Sequence, residues 1–183
     1  MRRVKGTDVA GPVRLLRKMR QRGEHPALSA DAAALVAQRI LPASWYPMET
    51  FRELLGVVHR QWFDGNDRGA LEIGRIGAKE TLAGLQAPYV ADGDPVRTLA
   101  ALERIWRAHY DFGRVWTEIE PTAAMFRLAG YPDMPRWHGL IIAGWVVGAI
   151  EMAGGRDVRI ELRGGPWLAP DEPLAAYVTW VTG

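Results

Sequence analysis

Apolar residues in the carboxyl-terminal half of the chain follow spacings that predict a buried helix between pairs of strands. Residues 139–150 carry no charged side chain, so a helix here is apolar on every side and belongs inside the protein. Its rise of about 18 Å is too short for the roughly 30 Å hydrocarbon core of a membrane. Pro135 fits its start and Gly154 its end. We therefore predict a buried central helix within 135–155.

Strict alternation of apolar and polar residues flanks this helix on both sides and is typical of half-buried strands. It runs over 113–120 and 124–128, with Pro121 at a tight reversal, and returns over 157–163 and 174–181. Four strands with one face toward water are most naturally antiparallel, with helices covering the other face. We expect a hairpin, the central helix and two further strands.

The amino-terminal half shows helical spacing instead. After an extended lead over 1–9, helices are predicted over 11–21, 31–39 with Asp31 as the cap, 48–62, 68–85 and 96–109. The fold class is therefore α+β, a helical N-terminal half followed by β-β-α-β-β, with a four-stranded antiparallel sheet packed against helices. We expect residues 1–183 to form a single domain.

Small residues mark two of these helices as sites of close approach. Gly74 and Gly77 lie on one helix, and Gly144 and Gly148 on the central helix. A glycine within a helix costs about 1 kcal/mol relative to alanine, so something is expected to pack against these faces. They suit either contact with each other or a symmetric homodimer, and we take Gly74 and Gly77 as candidate partner-binding residues.

Composition narrows the class of protein. The 183 residues are 48% hydrophobic and 24% charged, which is typical of a soluble globular protein. The absence of cysteine excludes disulfides, thiolate zinc sites and a cysteine nucleophile. No long apolar run follows the basic residues after Met1, so neither a signal peptide nor a membrane span is predicted. We expect a cytoplasmic protein.

Positive charge is concentrated at the amino terminus. Residues 1–22 contain eight lysines and arginines against one acid, Asp8, although the whole chain carries a net charge of only +2. Arg14, Arg17 and Lys18 lie on the predicted helix over 11–21. They form either the solvated basic face of a docking helix or an anchor for nucleic acid, anionic lipid or an acidic partner. Nucleic acid is the weaker reading because no dense basic and aromatic surface occurs elsewhere.

Motifs that carry chemistry are absent. The sequence has no phosphate-binding loop, dinucleotide fingerprint, serine-nucleophile elbow or His-Glu-x-x-His zinc motif. Asp92 and Asp94 are expected in a solvated turn, since calcium needs six or more oxygens. Glu118 and Glu120 share one face of a strand and are the candidates for an acid–base pair, although exposed carboxylates on an edge are commoner. We expect no enzyme, no catalytic or metal-binding residue and no cofactor.

Two sequence patterns are similar to those of a known superfamily. They are Leu99-x-x-Leu102-x-x-Ile105-Trp106-x-x-x-Tyr110 and Gly144-Trp145-x-x-Gly148-x-x-Glu151-x-x-Gly154. With the order of elements, they resemble the ligand-binding domains of NO signalling and Golgi transport, which include haem-NO-binding, vinyl-reductase-type and transport-particle members. The chain is also similar to a family of unknown function associated with myxobacteria, through Val4-Lys5-Gly6-Thr7, Trp45-Tyr46-Pro47 and the helices that contain Gly74 and Gly144. The resemblance implies a pocket between helices and sheet and a role in dimers or regulatory partnerships.

The haem function of that superfamily is not expected here. In its haem-binding members the helix before the hairpin presents a proximal histidine, and the matching position is Trp106, which cannot ligate iron. The Tyr-x-Ser-x-Arg pattern that holds the haem propionates is also missing. His109 lies one helical turn from Trp106. We interpret it as a histidine favoured at a helix C-terminus, with ligation of haem or metal as the alternative.

The resulting hypothesis is a non-enzymatic sensory or adaptor domain that binds a small hydrophobic ligand or a protein partner in signalling. Large amphipathic side chains shape small-ligand sites, and the candidate lining is Trp106, His109, Tyr110, Phe126 and Trp145. The same residues would otherwise fill the core. The alternative function is a module that binds nucleic acid or an anionic surface through the basic amino terminus.

Overall fold

The chain folds into helices and two antiparallel sheets in a computed structural model that describes residues 1–84 and 87–182. The elements over these residues, in chain order, are β1 (Arg3–Lys5), α1 (Gly6–Gln21), α2 (Ala30–Ala37), β2 (Trp45–Pro47), α3 (Met48–Trp62), α4 (Asp67–Leu82), a short 3₁₀ turn (Ala87–Tyr89), α5 (Pro95–Ala100), α6 (Leu102–His109), β3 (Arg114–Glu120), β4 (Ala123–Ala129), α7 (Arg136–Met152), β5 (Arg156–Gly164) and β6 (Leu174–Val181).

The main sheet has four antiparallel strands in the order β3-β4-β6-β5. The β3–β4 hairpin pairs Val115 with Leu128, and β4 then pairs with the last strand, β6. Alternate residues of β4, such as Phe126, are buried beneath the helices. The predicted α+β class, with a helical half followed by β-β-α-β-β, is confirmed.

Helix α7 connects β4 to the edge strand β5 and is buried along most of its length, as its uncharged sequence predicts. It packs directly against α4. A Cβ added at Gly74 would lie 2.0 Å from the carbonyl oxygen of Ile141, and one added at Gly144 would lie 2.1 Å from the carbonyl oxygen of Leu71. The small faces of α4 and α7 therefore meet within one chain, the first of the two alternatives predicted for them.

The amino terminus departs from the prediction of an extended lead followed by a helix at residue 11. Residues Arg3–Lys5 pair with Trp45–Pro47 as a two-stranded sheet, and α1 already begins at Gly6. Pro12 lies inside α1, where its missing N–H leaves one helical hydrogen bond unmade. Proline is favoured in the first turn of a helix, and here burial of Val9 on the same face as Val13 keeps the turn before Pro12 helical.

Three other boundaries differ. Ser29, not Asp31, caps α2, because the Ser29 hydroxyl accepts the Ala32 N–H at 3.2 Å. The single helix predicted over 96–109 is two helices that meet at Ala101. Helix α4 ends at Leu82, and Leu85, the last residue of the predicted helix, lies outside the described residues. None of the described helices is long and apolar enough to cross a membrane.

Candidate functional site

A cavity of about 350 Å³ lies between the helices and the sheet, and we call it the helix–sheet cavity. Side chains from α1, α3, α4, α6 and α7 surround it, together with Val115 of β3 and Phe126 of β4. Most of them are apolar, including Leu55, Val58 and Ile105. The interior is therefore not completely filled by its own side chains at this point.

One wall of the helix–sheet cavity is aromatic. The rings of Trp106 and Tyr110 are stacked with their centroids 4.0 Å apart. The Trp106 indole N–H donates to the carbonyl oxygen of Phe112 at 2.7 Å, which fixes the ring. Burial raises the pKa of the Tyr110 phenol well above its ordinary value, and the nearby Asp8 carboxylate raises it further. The phenol therefore stays protonated at neutral pH.

The five residues singled out as candidate ligand-binding residues, Trp106, His109, Tyr110, Phe126 and Trp145, all lie on the wall of the helix–sheet cavity. Their role in binding stays a prediction. Trp145 is held by its own hydrogen bond, since its indole N–H donates to the Thr81 hydroxyl at 3.1 Å.

The candidate partner-binding residues are divided. Gly74, Gly77 and Arg14 line the helix–sheet cavity, whereas Arg17 does not and donates to the carbonyl oxygens of Val36 and Gln38. Lys18 is exposed on α1. Partner binding through these residues remains a prediction, and at Gly74 the backbone of α7 already takes the space.

A polar pair lies at the end of the cavity formed by α1 and α6. His109 Nδ1 is 2.6 Å from Asp8 Oδ2 and 3.4 Å from the hydroxyl of Thr7. Both side chains of the pair are largely buried, with 6% of His109 and 13% of Asp8 exposed. The contact joins residues 101 positions apart. No sequence pattern marked Thr7 and Asp8 as residues of the site, although Asp8 is the one acid among the first 22 residues.

A second polar pair lies where α7 begins. The Tyr131 hydroxyl is 3.2 Å from His138 Nδ1, and His138 faces the helix–sheet cavity. Burial, and after it the nearby Arg52 guanidinium, lower the pKa of His138 to about 3. Burial also raises the pKa of Tyr131 to about 12. Both groups are therefore uncharged at neutral pH, and His138 adds a polar group without charge to the cavity wall.

An ion pair stands where the cavity approaches the surface. Arg14 on α1 pairs with Glu80 on α4, and both side chains are about half exposed. Ile76, also on α4, lines the cavity and is 40% exposed. The cavity therefore approaches solvent at the gap between α1 and α4, which the Arg14–Glu80 pair spans.

The basic amino terminus makes many contacts within the chain. Arg2 pairs with Asp133 and Glu49, and Arg3 pairs with Asp111. Further basic residues have partners as well. Lys5 donates to the carbonyl oxygen of Ala43 and lies over the Trp45 ring, and Arg22 lies over the Trp62 ring. Much of the concentrated charge thus joins parts of the fold, which weakens its interpretation as a surface for nucleic acid.

The comparisons with known proteins show the fold. No protein-family model matches the sequence, and no curated protein matches it significantly. Solved structures do match. An H-NOX protein from S. oneidensis has a TM-score of 0.68 at 8% identity over 97% of this chain and 96% of its own. The chain shares the fold of H-NOX domains.

Two further H-NOX structures agree. An oxygen-binding H-NOX domain related to soluble guanylate cyclases has a TM-score of 0.63 at 14% identity, covering 96% of this chain and 94% of its own. A structure used to probe heme distortion in the H-NOX family has a TM-score of 0.66 at 14% identity, with the same coverage. The resemblance to the NO-signalling superfamily is thus confirmed for the fold. The relation to a myxobacterial family stays a prediction.

Haem does not fit the residues around the helix–sheet cavity. On α6, which precedes the hairpin, Trp106 faces the cavity with an indole that cannot ligate iron. A carboxylate beside a histidine, as at His109, is also found next to histidines that bind metals. The contact alone therefore does not exclude haem, and the charge of the cavity lining is the test of fit. Haem carries two carboxylates, whereas the lining contributes Asp8 and Glu80 and, among the described residues, Arg14 as the single lysine or arginine, already paired with Glu80.

Other chemistries find little support around the cavity. Within residues 1–84 and 87–182, no group of three or more histidine, aspartate or glutamate side chains is placed to hold a metal ion. Glu118 and Glu120 are exposed on β3, and Glu118 lies 3.4 Å from Arg127. Neither lines the helix–sheet cavity. The acid–base alternative built on this pair therefore lies outside the helix–sheet cavity.

Proposed function

We propose that this protein is a non-catalytic sensory domain that binds a small apolar molecule in the helix–sheet cavity. The single observation that carries the proposal is the cavity itself, about 350 Å³ with largely apolar walls. Ligand pockets in proteins usually measure about 300–1,000 Å³ and combine apolar walls with a few polar groups. Here those polar groups are the Asp8–His109 pair and His138.

The shared fold supports a sensory role. One structural neighbour is an oxygen-binding domain related to soluble guanylate cyclases, so in that neighbour the same architecture holds a small ligand. We carry over the ligand-binding cavity and leave out the haem, for which the residues do not fit. Transfer of apolar ligand surface from water contributes about 25 cal/mol per Å², which makes the apolar walls the main source of affinity.

A small ligand is favoured over the alternatives. A protein partner at the faces of Gly74 and Gly144 would compete with the α4–α7 contact inside the chain. Nucleic acid at the amino terminus would compete with the ion pairs of Arg2 and Arg3 and with the backbone contacts of Arg17. The helix–sheet cavity, by contrast, is not filled by any of the described side chains.

The test is a titration of the protein with Nile red, a neutral apolar dye that fluoresces on leaving water. We expect saturable binding that is weakened about tenfold or more by Gly77→Leu, because a side chain at Gly77 enters the cavity and a Cβ there meets only Trp145 Cδ1, at 3.8 Å.

The matched control is Gly84→Leu, the same change just beyond α4, where an added Cβ meets only the Thr81 carbonyl oxygen at 4.0 Å. Gly84 does not line the cavity. Equal dye affinity in the two leucine variants would show that binding occurs elsewhere, and absence of saturable binding in the unmodified protein would overturn the proposal.

A further inference from the structure

The charged groups of the helix–sheet cavity are unevenly distributed. At the entrance, Arg14 and Glu80 form an ion pair whose charges offset each other. Deeper in, Asp8 lies against His109, and among the described lining residues no lysine or arginine other than Arg14 faces the cavity. Away from the entrance, the carboxylate of Asp8 is therefore the one acidic group among the described lining residues.

Asp8 has the capacity to bind a further donor. A carboxylate offers about four lone-pair directions, and the His109 contact at Oδ2 uses one of them. The side chain is 13% exposed while it lines the cavity. A hydrogen bond to a charged acceptor in such a partly desolvated place is stronger than one in water. A ligand head group that donates N–H bonds would therefore be held here.

We propose that the ligand is a small apolar amine whose ammonium group lies against Asp8. This inference rests on the proposed function and adds the chemical class of the ligand. The apolar body extends along walls that include Ile105, Ile141 and Trp145. A fatty acid of the same length places its carboxylate beside that of Asp8, where like charges repel through a medium of low dielectric constant.

The test compares octylamine, octanol and octanoate, which share one chain length and differ in the head group. The affinity of each is measured at neutral pH by its displacement of Nile red from the protein. We expect octylamine to bind about tenfold or more tighter than octanoate, with octanol between them. In Asp8→Asn the preference for the amine over the carboxylate falls toward one, because the variant removes the charge and keeps the shape.

Glu118→Gln is the control for net charge. It removes one negative charge from the exposed face of β3, outside the cavity, and leaves the preference unchanged. Octanoate binding as tightly as octylamine to the unmodified protein would overturn the inference. So would an unchanged preference in Asp8→Asn.

The neutral ligands separate this inference from the proposed function. If Nile red and octanol bind and the preference for the amine is absent, the amine inference is wrong and the proposed function stands. If none of the four molecules binds, both are wrong. Octanol affinity in Asp8→Asn reports whether the cavity is intact, and if that variant does not fold, the comparison in the unmodified protein decides alone.

Discussion

Replacing Gly74 by alanine tests the contact between α4 and α7 on which the cavity depends. An added Cβ would lie 2.0 Å from the Ile141 carbonyl oxygen and 2.5 Å from the Trp145 amide nitrogen. Both atoms belong to the backbone of α7, so no side-chain rotation relieves the clash. The two helices must separate, and the loss of their packing propagates along the interface.

The magnitude follows from two opposing effects. Alanine in place of glycine stabilises a helix by about 1 kcal/mol. Overpacking of a well-packed interior costs about 1–3 kcal/mol, and the upper end applies here because the obstacle is backbone. We expect Gly74→Ala to lower the free energy of unfolding by about 2 kcal/mol.

Gly77→Ala is the matched control on the same helix. There the nearest atom to an added Cβ is Trp145 Cδ1 at 3.8 Å, an ordinary van der Waals contact. Only the gain in helix stability from alanine then applies, and we expect the free energy of unfolding to be unchanged or raised by up to about 1 kcal/mol.

The assay is urea denaturation followed by circular dichroism. Both variants should keep the slope of free energy against urea of the unmodified protein, so that the shift in midpoint reports stability. Equal stabilities of Gly74→Ala and Gly77→Ala would refute the close approach of α4 and α7.

Two further predictions concern protonation and haem. Burial lowers the pKa of His138 to about 3, against about 6.5 when unfolded. Below about pH 6.5 the unfolded state takes up a proton at His138 and the folded state does not, so the free energy of unfolding falls by about 2 kcal/mol by pH 5. His138→Phe should flatten the urea stability profile between pH 5 and pH 7, and an equally steep profile would contradict this. Protein produced with iron and a haem precursor should be colourless, whereas a Soret band that is lost in His109→Ala would contradict the misfit of haem.

The parts of the fold that depend on local pattern could be predicted from the sequence. The uncharged run of α7 has no stable place except the interior, and the alternation in β5 buries Val158, Ile160 and Leu162 more than their neighbours. The start of α1 could not be predicted, because Pro12 favours a later start and the helix is held by tertiary burial of Val9. The β1–β2 pair joins segments about forty residues apart, which no local pattern encodes.

The candidate site was predictable in part. The aromatic wall followed from the residues of α6 and from the superfamily resemblance. Whether those rings fill the interior or border a cavity depends on the separation of α1, α4 and α7, a tertiary quantity that residue spacing does not specify. The Asp8–His109 pair was missed for the same reason, since it joins α1 to α6 across the fold.

Native mass spectrometry of the protein equilibrated with octanol tests the central claim most directly. One octanol per chain should be retained under native conditions and lost on denaturation. The adduct should be absent from Gly77→Leu and present in Gly84→Leu. Equal adducts in both leucine variants, or none in the unmodified protein, would contradict a ligand-binding helix–sheet cavity.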